Sequence, residues 1–73
     1  MDDVVMNYNA IARNIRVARA KMGYSQKQLA IRSGVCEATI SFIENAKHKL
    51  IRISTLNKLA YVLQVDLEDL LKD

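Results

Sequence analysis

From Tyr8 onward the apolar positions recur at intervals of three and four: Tyr8, Ile11, Ile15, Ala18 and Met22. That is the spacing of one face of an α-helix. Gly23 follows, where a helix end takes a left-handed residue, so the pattern predicts a helix over 8–22. Ser25 then offers an N-cap, with Gln28 three residues later as in a capping box. A second helix is predicted over 26–32, with Leu29 and Ala30 inward and Ser33 and Gly34 ending it. Gly34 can take positive φ. A third helix runs from near Cys36 to near Asn45, with Ile40 and Ile43 inward and Val35 sealing the turn. Glu37, Ala38, Ser41 and Phe42 then point away from the core. After the basic stretch AKHKLIRI at 46–53, Ser54 is expected to cap a helix over 55–63 whose apolar positions are Leu56, Leu59, Ala60 and Leu63. Asp66 is expected to cap a last helix over 67–72, with Glu68 and Asp69 in the first turn as the helix dipole favours. Residues 1–7 carry no such pattern and are expected to fray.

Composition supports this all-α reading. The chain has no proline and only two glycines, so glycine serves as punctuation. Seventy-three residues make one domain, with its core at about 8–72. One cysteine rules out an intrachain disulfide and suits a reducing cytoplasm. One histidine rules out a Cys/His metal cluster, and no cofactor is expected. No apolar run reaches the roughly 18–20 residues of a membrane span, and MDDVV is too acidic for a signal peptide. A soluble cytoplasmic protein is expected. Scattered carboxylates beside a lone His and a lone Cys offer no nucleophile–base pair, so an enzyme is not expected.

Charge is unevenly spread. Between residues 4 and 65, ten Lys or Arg face only Glu37 and Glu44, while the remaining acids sit near the ends. A basic body could meet a polyanion such as DNA. A solvated mixed-charge surface is the other reading.

Two short helices joined by a tight glycine-containing turn form a helix-turn-helix. The residues go further. GYSQKQLAIRSGVCEATISFIENAK resembles the lambda-repressor-like family of DNA-binding domains, the Xre and Cro proteins. The matching features are Ser25-Gln26, Leu29-Ala30, Gly34-Val35, Thr39-Ile40 and Glu44-Asn45-Ala46-Lys47. ISTLNKLAYVLQVDLEDLL matches the family's fourth and fifth helices, so the resemblance covers about residues 10–71. It implies a compact five-helix domain with the helix-turn-helix at helices 2 and 3. Helix 3 would lie in the major groove and helix 2 across the backbone.

The resemblance also implies residue roles. Glu37, Ala38 and Phe42 match the base-contacting positions, and Ser41 shares their face. Cys36 and Thr39 match positions near phosphates. Gln26, at the start of helix 2, is placed to donate to a phosphate, and in the family it also braces the first reader of helix 3. Asn45, Lys47 and Lys49 would grip the backbone, and Arg52 would reach a phosphate or the minor groove. Lys27 and Arg32 are peripheral. Arg19 and Glu44 match a pair that ties helix 1 to helix 3. Ala46 replaces the family's glycine, and Asn45 is expected to take the left-handed conformation in its stead.

Chemistry narrows the readers. Glu37 can accept from cytosine N4, whereas Ala38 and Phe42 can make only apolar contact, for which thymine methyls are available. Glu37 could instead face away and repel phosphate, and Phe42 could mark a protein interface. Cys36 offers either a redox-active thiol at a helix N-terminus or a small stand-in for Ser or Thr. His48 offers either a pH-sensitive phosphate contact or a plain loop residue. Tyr24 is expected in the core and Tyr61 partly exposed. The stripe Leu63, Val65, Leu67, Leu70 and Leu71 exceeds what one small domain needs. A homodimer through helix 5 and the end of helix 4 would use it. The expected function is a transcriptional regulator, a repressor of phage, plasmid or mobile-element type, binding an inverted-repeat operator in double-stranded DNA. The alternative is an antitoxin-type or other interaction module that has lost operator binding.

Overall fold

A computed structural model describes residues 4–5, 8–47 and 51–73. The described elements are β1 (Val4–Val5), α1 (Tyr8–Met22), α2 (Gln26–Ser33), α3 (Glu37–Glu44), β2 (Ile51–Arg52), α4 (Ile53–Leu63) and α5 (Leu67–Leu71). The five helices carry the fold, and the chain is all-α in class. Helix α1 packs against α3 and α5, and α2 packs against α3 and α4.

The core follows the predicted faces. Ile11 and Ile15 of α1 meet Leu29 of α2, Ile40 and Ile43 of α3, and Leu56 and Leu59 of α4 in one buried cluster. Burying each such side chain is worth about 1.5–3 kcal/mol. Val35 closes the cluster beneath the turn, Tyr24 packs partly buried against it, and Tyr61 is exposed.

The helix ends show why the boundaries fall where they do. Ser25 Oγ accepts from the Gln28 N–H at 3.0 Å, and Gln28 Oε1 accepts from the Ser25 N–H at 2.8 Å, the expected capping box. Gly23 and Gly34 both take positive φ, at 74° and 76°. The Tyr24 N–H reaches back to the Arg19 carbonyl at 3.2 Å, so α1 closes in a Schellman turn. At the corner between α4 and α5 the same turn uses Gln64, with φ at 59°.

Four expectations are corrected. The left-handed residue after α3 is Ala46 (φ 56°), while Asn45 stays at φ −96°. The Lys47 N–H bonds to Phe42 O at 2.9 Å and the Ala46 N–H to Ile43 O at 3.1 Å. This turn needs its bend one residue past the cap, so Asn45's tolerance of that region does not decide. Helix α4 starts at Ile53 with Arg52 as N-cap, so Ser54 lies inside its first turn. The buried Ile51 and the β1–β2 pairing fix the chain up to Arg52, and the helix begins at once. Val4 and Val5 do not fray: they pair antiparallel with Arg52 and Ile51. Leu63 and Leu70 are buried in this chain's own core, with Val65, Leu67 and Leu71 half-buried against it, so most of the leucine stripe is used within the protomer.

Candidate nucleic-acid interface

Helix α3 has one fully committed face. Ile40 and Ile43 are buried, and Glu44 is only 2% exposed. A buried carboxylate is costly unless it is paired and hydrogen-bonded. Glu44 is both. Arg19 Nε donates to its Oε2 at 2.7 Å and Arg19 Nη2 to its Oε1 at 2.9 Å. This is the bidentate fork that guanidinium and carboxylate favour, and it confirms the expected Arg19–Glu44 pair. The bond to Glu44 raises the Arg19 pKa above its ordinary value, with burial pulling the other way. Arg19 also donates to the Tyr24 carbonyl at 2.9 Å, which ties the α1–α2 turn into the same joint. Arg16 donates to the backbone carbonyl of Glu44 and so helps satisfy the end of α3.

Gln26 opens α2 as expected, but its amide donates to Glu44 Oε1 at 3.0 Å. The brace therefore runs to the end of α3, and Glu44 gathers α1, α2 and α3 at one point. An amide NH2 has two donors, and Glu44 Oε1 engages one of them. The partner of Gln26 lies 18 residues away. No local spacing in the sequence points to it.

The opposite face of α3 is open. Glu37 and Ala38 are exposed, Phe42 is 52% exposed, and Ser41 is half-buried beside them. The turn before the helix is held by Ser33, whose Oγ accepts from the Val35 N–H at 3.1 Å. Cys36, the N-cap, makes no side-chain capping bond and its thiol is free and exposed. Thr39 is half-buried at the edge of the face. At the far end Asn45 donates to Ser41 Oγ at 3.3 Å, and Lys47 is exposed just beyond. Arg52 is exposed at the start of α4. Lys49 and His48 lie outside the described residues. Among the peripheral cations, Arg32 stacks 4.9 Å from the centroid of the Tyr24 ring.

Among the described residues no group of His, Cys, Asp or Glu could hold a metal ion, and no helix is long and apolar enough to cross a membrane.

A short helix locked from behind, with its front exposed and a second helix braced across its base, defines a helix-turn-helix DNA-binding domain. The chain belongs to the Cro/C1-type HTH DNA-binding domain family, whose pattern matches residues 14–73. It is 40% identical over 60 residues to the HTH-type transcriptional regulator SlrR of Bacillus subtilis, covering 82% of this chain and 40% of SlrR. It is similar in structure to the N-terminal DNA-binding domain of SinR from Bacillus subtilis, with a TM-score of 0.85 and 32% identity over 89% of this chain and 94% of that one. A crystal structure of SinR, the master regulator for biofilm formation, in complex with DNA matches with a TM-score of 0.82 and 34% identity, covering 85% of this chain and 98% of that one. The chain spans about two fifths of the length of the first two curated relatives it matches.

Proposed function

We propose that this chain is the DNA-reading part of a cytoplasmic transcriptional regulator, a repressor that occupies an inverted-repeat operator as a dimer. The observation that carries the reading is the asymmetry of α3. Every side chain on its back is buried or paired, while on the opposite face Glu37, Ala38 and Phe42 are exposed and Ser41 is half-buried. A helix held this way can enter the major groove without rearranging. Gln26, Cys36, Thr39, Asn45, Lys47 and Arg52 then face the sugar–phosphate backbone and set the register, with Lys49, outside the described residues, as a further cation. The similarity to a domain solved on DNA supports the docking. Phage, plasmid or mobile-element regulators are the type proposed.

For the dimer, the half-buried Val65, Leu67 and Leu71 at the α4–α5 corner are the apolar side chains left to share with a second copy. Two-fold symmetry would set half-sites about 34–36 Å apart.

Selection from a random duplex library, with sequencing of what the protein retains, tests this. The expected result is an inverted repeat bound with an affinity that falls steeply with salt, as counterion release requires. Retention of no common sequence, with binding indifferent to salt, would overturn it in favour of a protein-interaction module.

A further inference from the structure

The exposed face of α3 carries two neighbouring stripes. Glu37 and Ser41 are one helical turn apart, and Ala38 and Phe42 are one turn apart beside them. An ionised Glu is an acceptor only, and neither Ala nor Phe has a polar group. The helix sequence EATISFIE contains no Arg, Lys, Asn or Gln, so the bidentate readers of guanine and adenine are missing from it. The face therefore offers a hydrogen-bond acceptor at its leading end, alongside an apolar strip.

The four ordinary base pairs match this poorly. A C·G pair presents the cytosine N4 donor in the major groove, but its neighbouring C5 carries only hydrogen. An A·T pair presents a donor and a methyl group, but thymine O4, an acceptor, lies between them and would face the carboxylate. A methyl on cytosine C5 places a donor and a methyl side by side on one base. We propose that the read face of α3 is complementary to 5-methylcytosine, with Glu37 accepting from N4 and Ala38 and Phe42 covering the methyl. The inference rests on the reading of α3 as the major-groove element. It makes occupancy of the operator sensitive to cytosine methylation.

Two random duplex libraries, one synthesised with cytosine and one with 5-methylcytosine, are selected on the wild-type protein. The retained duplex is then titrated with cytosine, 5-methylcytosine or thymine at each read position. At one position per half-site, 5-methylcytosine is expected to bind about four-fold tighter than cytosine, the worth of one buried methyl group, and tighter than thymine, which lacks the donor. Phe42→Ala should bring the ratio of 5-methylcytosine to cytosine close to one. Glu37→Ala should weaken both relative to thymine. Glu37 is exposed and Phe42 is half exposed, so both variants should stay folded and melt near the wild type. An operator bound equally, or more weakly, when methylated would overturn the proposal and leave the operator reading intact. Failure of both libraries to yield any sequence would overturn both.

Discussion

Ile40 and Phe42 stand two residues apart on α3, yet one is fully buried and the other is half exposed. Glu37 and Glu44, the two acids of the same helix, differ in the same way: one is exposed and the other only 2% exposed under a guanidinium fork. The back of the helix is determined by this chain. Its residues are fixed by neighbours in α1 and α2, and each buried side-chain polar atom there has a partner. The front is exposed at Glu37, Ala38 and Phe42 and half-buried at Ser41. Its composition is less constrained by the core, which is why stability and the proposed recognition can be assigned to different side chains of an eight-residue element.

The sharpest way to break this contrast is to remove the joint behind the helix. Glu44→Ala leaves Arg19 and Gln26 without their acceptor, and breaking such a pair costs about 3–5 kcal/mol. A domain of this size has roughly 4–11 kcal/mol in total, so chemical denaturation should show the variant largely destabilised. Replacing both Arg19 and Glu44 with methionine should cost less than Glu44→Ala alone, because no uncompensated charge stays behind. The second test sets the two faces against each other. Ile40→Ala should lose about 2–5 kcal/mol to the cavity it leaves, while Phe42→Ala, at a half-exposed side chain, should lose about 1 kcal/mol. Equal losses, measured by urea titration, would end the distinction between back and front.

A smaller effect is expected at the end of α3. Ala46 holds a left-handed conformation that costs a residue with a Cβ about 1–2 kcal/mol. Ala46→Gly relieves it but loosens the unfolded chain, so a net gain of about 0.5–1 kcal/mol is expected, visible as a raised melting temperature. The smallest effect belongs to the exposed pair on α5. The hydrogen bond from Lys72 lowers the Asp69 pKa, with a further contribution from the Asp66 N–H. Its folded value therefore lies below its unfolded value. The stabilisation is complete above the unfolded value and is lost as pH falls through the folded one. Asp69→Asn should flatten that acid limb slightly and leave the melting curve at neutral pH nearly unchanged.

The same contrast governs what could be read from the sequence. Helices α1 to α3 were legible because period, caps and the glycines Gly23 and Gly34 all agreed. The Arg19–Glu44 pair was legible only through the family pattern, since 25 residues separate its partners. Three features were not. The β1–β2 ribbon is two residues long on each side and leaves no period to detect. Ser54 resembles a cap, but burial of Ile51 starts α4 ahead of it. The left-handed turn fell to Ala46 because backbone hydrogen bonds, and not side-chain preference, choose the position. For the front of α3 the residue types come from the sequence and the exposure from the fold; the bases it is proposed to meet are a property of the DNA.

Backbone amide chemical shifts of the isotope-labelled protein, titrated with the duplex retained in selection, report which residues meet DNA. Perturbations are expected at Gln26, at residues 36–42, at 45–47 and at Arg52, with the buried amides of α1 unchanged. Perturbations centred on α5 and the outer face of α1, with α3 silent, would contradict docking through α3.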